Sequence, residues 1–228
     1  MNTSYEIEIK ALLGDKKNAE KLISKLYAKY PHAKKVKAGE KQLNHYFTKG
    51  DRDKLFNTLK NFIKDKTKLD YLQDILKKAT KLSVRTRLAK NKAIFVIKAS
   101  IDDTTSENGT ARLEFEHEME QMTLDELDKL LLGADFDYQA KWSRERDEHK
   151  VDNIAVTIDK NAGYGYLAEF EIVENDPTLA ESSKERLRNF MKELEIEELP
   201  QDRLERMFTH YNSNWRDYYG TDKIFTIE

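Results

Sequence analysis

The sequence predicts an α+β fold: a closed or strongly curved antiparallel β-barrel with peripheral helices, an inserted helical hairpin and a C-terminal helical region. Three observations carry that expectation. Several stretches alternate strictly between charged and aliphatic residues, as in Glu6-Ile7-Glu8-Ile9-Lys10 and Arg112-Leu113-Glu114-Phe115-Glu116, and a strand sends such residues to opposite faces. Long antiparallel strands dominate, with few parallel-type βαβ units. Closing the sheet also removes the edges that these strands would otherwise expose. Three prolines and eight glycines in 228 residues leave little room for flexible linkers. The chain is therefore read as one domain over 1–228, with a helical insertion over 49–81 and a C-terminal helical extension over 178–228.

The elements follow in order. After the strand at Glu6–Lys10, Gly14-Asp15 opens a helix from about Lys16 to Tyr30, with Ala19, Leu22, Ile23, Leu26 and Tyr27 on one face and Pro31 as its stop. Two extended pieces, 33–38 and 42–48, are expected on either side of Gly39-Glu40. From Asp51 to Thr80 the period changes. Leu55, Phe56, Leu59, Phe62 and Ile63 form one helical stripe, and Leu69, Leu72, Ile75 and Leu76 another. This lysine-rich hairpin is either a packed insertion with a solvated face or a lid or docking element. Leu82–Leu88 and Ala93–Lys98 read as a β-hairpin about Lys90-Asn91-Lys92. Thr104–Gly109 reads as a polar loop and 112–120 as the next strand. Thr123-Leu124-Asp125-Glu126 is a capping box that opens a short helix ended by Gly133. Strands are expected at about 137–147, 151–159 and 166–173. Two helical stripes close the chain, Leu187/Phe190/Met191/Leu194 and Leu204/Met207/Phe208/Tyr211. No element is assigned to 215–228, whose aromatic content suits a plug for one barrel mouth.

Charged residues make up 36% of the chain, yet 40 Lys+Arg against 42 Asp+Glu leave a net charge of −2. That balance argues against general nucleic-acid binding. The absence of cysteine excludes disulfides and thiolate zinc sites, and the histidines show no zinc-site spacing. No apolar run approaches the roughly 20 residues of a membrane span, and no secretory signal precedes the first strand. A cytoplasmic protein with neither nucleic-acid nor membrane partners is expected.

The polar strand faces carry rows of charge: Glu6, Glu8 and Lys10; Arg85, Arg87 and Lys98; Arg112, Glu114 and Glu116; Arg144 and Arg146; Asp159; Glu169 and Glu171. Facing solvent, they would form cross-strand ion pairs worth about 0.2–1 kcal/mol each. The combined pattern favours a lumen instead, because one face of every barrel strand lines the interior. Burying so many ions dry would cost several kcal/mol apiece, so the interior is expected to be a wet tunnel or a site for a highly charged ligand. Arginine forks suit phosphate and clustered carboxylates suit Mg²⁺ or Mn²⁺. A polyphosphate with a divalent metal satisfies both sets.

These residues carry a family resemblance. Glu6-Ile7-Glu8-Ile9-Lys10 resembles the ExExK signature of the CYTH superfamily, the triphosphate tunnel metalloenzymes. Gln42-Leu43-Asn44-His45-Tyr46-Phe47 resembles its Q-x-N-x-Y-F strand, Arg85-Thr86-Arg87 its R-x-R, Lys98 the following lysine, and Arg112-Leu113-Glu114-Phe115-Glu116 its R-x-E-x-E. Asp159 stands where the family has an aspartate, and Gly165–Glu171 resembles the closing G-x-hydrophobic-x-E-x-E. The likeness runs from about Tyr5 to Val173. It departs at Arg144-Glu145-Arg146, where the family has K-x-R followed by a tyrosine. Here His149 follows, and Lys141 lies nearby but out of register. Thr48-Lys49 also replaces a common aspartate, and the helical insertion is enlarged.

The resemblance implies a tunnel of about eight strands that takes a triphosphate along its axis. Glu169, Glu171 and Asp159 would hold one metal, and Glu6 and Glu8 a second. Lys10, Arg85, Arg87, Lys98, Arg112, Arg144 and Arg146 would clamp phosphates, with Glu8, Lys10 and Arg146 catalytic and Glu114 and Glu116 supporting. The expected cofactor is Mg²⁺ or Mn²⁺, and the expected partner a small-molecule triphosphate or nucleotide, with a homodimer allowed. Hydrolysis of inorganic triphosphate, a nucleoside triphosphate or thiamine triphosphate is the first expectation. A class IV adenylyl cyclase is the second, and a non-enzymatic polyphosphate- or nucleotide-binding module the third.

Overall fold

The computed structural model describes residues 5–100 and 111–227. Eight strands, β1 (Tyr5–Gly14), β2 (Lys34–Lys49), β3 (Lys81–Ala89), β4 (Lys92–Ser100), β5 (Ala111–Glu118), β6 (Phe136–Val151), β7 (Ile154–Asn161) and β8 (Gly165–Glu174), pair antiparallel. They close into a barrel in the order β1-β5-β4-β3-β2-β6-β7-β8. Among the described residues six α-helices lie outside it: α1 (Lys16–Lys29), α2 (Arg52–Leu59), α3 (Lys66–Lys78), α4 (Leu124–Gly133), α5 (Ala180–Glu193) and α6 (Gln201–Tyr218). Among the described residues no helix is long and apolar enough to cross a membrane.

The apolar core sits outside the barrel wall. On one side Phe47, Val84, Phe95, Ile97 and Phe115 pack against Leu55, Leu59, Leu72, Ile75, Leu127 and Leu131 of α2, α3 and α4. On the other, Ile7, Ile9, Val156, Phe170 and Ile172 meet Leu22 and Leu26 of α1 and Leu187, Phe190 and Met191 of α5. Each such side chain contributes about 1.5–3 kcal/mol when fully buried. With the wall stabilised from outside, the inward residues are free to be charged.

Several boundaries differ from expectation. The two pieces around Gly39 are one strand, β2: register shifts at Lys35/Lys37 and Lys37/Glu40 absorb the irregularity, and Gly39 itself takes φ 57°. The stripe through Phe62 and Ile63 outruns its helix, since α2 ends at Leu59; Ile63 stays buried while Phe62 is exposed. Gly133 is the last helical residue of α4, and Asp135 (φ 63°) makes the left-handed turn instead. β6 runs through Val151 and turns at Asp152 (φ 52°). Lys90 and Asn91 both have positive φ, the signature of a I′ hairpin. The expected loop at Thr104–Gly109 lies outside the described residues. The unassigned 215–228 begins as the end of α6. It then runs beside Gly163, whose N–H donates to the Lys223 carbonyl at 2.8 Å while the Phe225 N–H donates to the Gly163 carbonyl at 2.8 Å. Gly163 is required there, because a Cβ would lie 2.7 Å from the Tyr211 ring.

Candidate active site

Alternation points Glu6, Glu8 and Lys10 of β1 into the barrel, and the pairing surrounds them with charge. Glu8 lies opposite Glu171, Lys10 opposite Glu169, and Glu6 opposite Arg112. Lys98 lies opposite Glu114, and Arg146 opposite Asp159. The result is a cavity of about 780 Å³, lined by every expected site residue except Asp159.

The carboxylates gather on one side. Oxygens of Glu6, Glu8 and Glu171 lie within 4.8 Å of one another. Lys98 hydrogen-bonds Glu6 and stands 3.5 Å from Glu8 and 3.9 Å from Glu114. Lys10 donates to Glu8 at 2.6 Å and lies 3.5 Å from Glu169. Burial works against each of these charges. It is outweighed at Glu8, held well below the usual carboxylate range by Lys10 and Lys98. At Glu171 burial prevails with help from the Glu6 and Glu8 charges, so its carboxyl is pushed up to about 7. Burial likewise pushes Glu114 up to about 9, with Glu6 and Glu116 adding to it. Crowded oxygen donors short of positive charge fit a hard divalent cation such as Mg²⁺ or Mn²⁺.

The arginines form a second group. Asp159, only 1% exposed, accepts from Arg144 Nη1 at 2.9 Å and from Arg146 Nε and Nη2 at 2.7 and 2.5 Å. Arg146 Nη2 also donates to Glu169 at 2.6 Å. Despite burial, Lys10 and Arg146 hold the Glu169 pKa down. Asp159 and Glu169, expected beside Glu171 at a metal, thus face guanidinium groups here. Arg87 donates from Nη1 to Glu116 at 2.6 Å. Two buried donors, Arg85 Nε and Arg112 Nε, find no hydrogen-bond partner among the described residues. An oxyanion in the lumen would satisfy them.

β2 supplies residues to which no role was given. Gln42 accepts from Arg144 Nε at 2.8 Å and Asn44 from Arg87 Nε at 3.0 Å, while Tyr46 OH accepts from Arg85 Nη1 at 3.1 Å. Burial raises the Tyr46 pKa, but Arg85, Arg144 and Arg87 together bring it below the usual phenol range. Their period of two on a single strand was the available signal. Helix α6 had no such signal: Leu204, Glu205, Phe208, Thr209 and Asn212 line one end of the cavity. The histidine and lysine of the family-like strands lie outside the lumen. His45 Nδ1 is 2.6 Å from Asp128, and its Nε2 is 2.7 Å from the Tyr219 hydroxyl. Lys141 stands over the Tyr138 ring on that outer side, 3.9 Å from Asp128.

A family profile described as CYTH domain matches residues 69–203, more than half of the chain. It leaves out Glu6–Lys10, which joins the matched strands by pairing with β8. Solved structures share the fold. The PH1012 protein of Pyrococcus horikoshii OT3 has a TM-score of 0.59 at 18% identity, over 84% of this chain and 91% of that one. The PH1819 protein of the same organism has a TM-score of 0.59 at 19% identity, over 86% and 94%. A candidate adenylate cyclase of Vibrio parahaemolyticus has a TM-score of 0.59 at 13% identity, over 90% and 98%. No curated protein matches the chain by sequence. With the profile spanning most of the barrel and the charged lumen in place, the chain belongs to the CYTH domain family, within the triphosphate tunnel superfamily.

Proposed function

We propose that this protein is a metal-dependent hydrolase of triphosphates bound in the barrel lumen. The observation that carries this reading is the pairing of unpartnered buried Arg85 and Arg112 donors with the crowded Glu6/Glu8/Glu171 carboxylates in one cavity. A phosphate binder alone has no need of the carboxylates. Mg²⁺ or Mn²⁺ held by Glu6, Glu8 and Glu171 would supply a Lewis acid for phosphoryl oxygens and lower the pKa of a bound water. The chain's own residues do the rest by positioning and charge, which dominate phosphoryl transfer. Arg85, Arg87, Arg112, Arg144 and Arg146 present forks to phosphate oxygens, with Lys98 and Lys10 as point charges between them and the carboxylates. Asp159 and Glu169 fix Arg146, Gln42 fixes Arg144, and Asn44 fixes Arg87. The Tyr46 hydroxyl accepts from Arg85 and keeps its own proton for a phosphate oxygen.

The test supplies inorganic triphosphate and ATP separately with Mg²⁺ or Mn²⁺ and resolves the products. Orthophosphate is expected. Cyclic AMP with pyrophosphate would instead make the chain a cyclase, the activity named for the Vibrio protein of the same fold. Binding without product would remove both enzyme readings. Arg87→Ala should cost at least about 100-fold in turnover while the barrel stays folded, since Arg87 and Glu116 both reach solvent. Tyr46→Phe keeps the ring against Trp142 and under Arg85. It should lower kcat by about tenfold, as expected for one charge-assisted hydrogen bond, and lower Tm by a few degrees, because Arg85 Nη1 loses its acceptor. Wild-type kcat in Tyr46→Phe would show that the hydroxyl is unused.

A further inference from the structure

One buried polar cluster lies outside the lumen, on the far side of the wall from the arginines. Its centre is Asp128 of α4, 2% exposed. Asp128 Oδ1 accepts from the Thr86 hydroxyl of β3 at 2.6 Å. Its Oδ2 lies 2.6 Å from His45 Nδ1 of β2 and accepts from the Tyr138 hydroxyl of β6 at 2.6 Å. One carboxylate thus ties three neighbouring strands, β3, β2 and β6. Burial works against its charge, but the hydrogen bonds of His45, Thr86 and Tyr138 hold the carboxyl below its usual range.

Packing alone does not call for a carboxylate there. Leu127 and Leu131 of the same helix meet the wall through hydrocarbon. A buried ion carries a desolvation penalty, and apolar side chains of similar volume often hold a core as well or better. What the hydrogen bonds add is direction. Thr86 and His45 stand opposite one another in the β2–β3 register. They are the outward residues of Arg85-Thr86-Arg87 and Asn44-His45-Tyr46, two alternating triplets. The inward neighbours pair in the same register, Arg87 with Asn44 and Arg85 with Tyr46, and both pairs are hydrogen-bonded in the lumen. Arg85 and Arg87 therefore project from the short stretch of β3 that Asp128 holds from behind.

We propose that Asp128 is a positioning residue for the phosphate-binding arginines: from outside the wall it locks Thr86 and His45 together, and so fixes where Arg85 and Arg87 enter the lumen. This rests on the triphosphate reading and adds to it a residue that touches no substrate. A misplacement of about 1 Å at a reacting group can cost about 100-fold, so a partial loosening of this stretch is enough to be measured.

The experiment measures kcat and KM for inorganic triphosphate with Mg²⁺ in the wild type, Thr86→Val, Thr86→Ser, Asp128→Asn and Leu131→Ala, at a temperature where all are folded. Thr86→Val keeps the shape and removes the hydroxyl. It should lower kcat/KM about tenfold, and Thr86→Ser should recover most of that loss. Asp128→Asn turns one acceptor atom into a donor facing the cluster and should act like Thr86→Val. Leu131→Ala is the control for a purely structural role. It empties a fully buried site on the same helix but breaks no hydrogen bond to β2 or β3, and should leave kcat/KM near that of the wild type. Wild-type kcat/KM in both Thr86→Val and Asp128→Asn, or an equal loss in Leu131→Ala, overturns the proposal. Asp128→Asn carries the test if Thr86→Val does not fold. Should the wild type turn over no triphosphate, the hydrolase reading falls, and the dissociation constant of inorganic triphosphate with Mg²⁺ decides the positioning role. Binding about tenfold weaker in Thr86→Val but not in Leu131→Ala supports it. Equal binding in all the variants overturns it, and a wild type that binds no triphosphate overturns both readings.

Discussion

Glu171→Gln is expected to abolish turnover, by roughly 10³-fold on the scale of preorganised electrostatic partners, and to make the metal-free protein more stable at pH 8. The two effects share a cause. Burial and the charges of Glu6 and Glu8 push the Glu171 carboxyl from 4.5 up to about 7. Between these values the folded chain holds a proton that the unfolded chain has released. Glu171 therefore costs the metal-free fold stability as pH rises through this window, and the full cost is reached above about 7. Glutamine stays neutral throughout, so the variant should match the wild type below pH 4.5 and exceed it at pH 8. One kcal/mol corresponds to about 2–4 °C in a chain of this size, so a gain of at least about 2 °C in Tm is the expected reading. Mg²⁺ should raise the wild-type Tm at pH 8 and leave the variant nearly unmoved. Equal midpoints at pH 8, or retained turnover, would remove Glu171 from the metal side.

Asp159→Ala should act in the opposite direction on stability. Asp159 is 1% exposed and accepts three guanidinium N–H bonds from Arg144 and Arg146. Deleting it leaves two buried cations without their shared partner. Breaking a buried pair costs about 3–5 kcal/mol, or roughly 6–20 °C in Tm. The denaturant midpoint should fall with the slope unchanged, and Asp159→Asn should lie between. A variant with wild-type Tm in the absence of metal but no stabilisation by Mg²⁺ would instead make Asp159 a metal ligand.

The contrast between these acids shows where sequence stops being informative. Alternation in Glu6–Lys10, Arg85–Arg87 and Glu169–Glu171 tells which residues share a face, and a shared face in a closed barrel means a shared lumen. Alternation says nothing of stagger between strands. Glu6 opposite Arg112, and Asp159 opposite Arg146 rather than beside Glu171, follow from that stagger. The capping box of Thr123 and Glu126 was legible because it is local. The position of α6 was not: its Phe208 and Asn212 reach the cavity through packing of Leu204, Met207 and Tyr211 onto the barrel end. That contact joins residues some 70 apart in sequence, as where the Tyr211 hydroxyl donates to the Lys141 carbonyl. Lys141 was legible as out of register, and its outward direction beside Asp128 accounts for that.

The two larger apolar clusters stand on opposite flanks of the barrel, with a third at its end, and between the two flanks lies an interior of opposed charges. An ordinary small barrel fills that space with interlocking hydrocarbon. Here the strand ladders, and lumen ion pairs such as that of Lys98 with Glu6, tie one flank to the other. A metal-bound triphosphate would join both flanks at once, so substrate would act as the missing centre of the fold. Its arrival should tighten the whole wall rather than one loop.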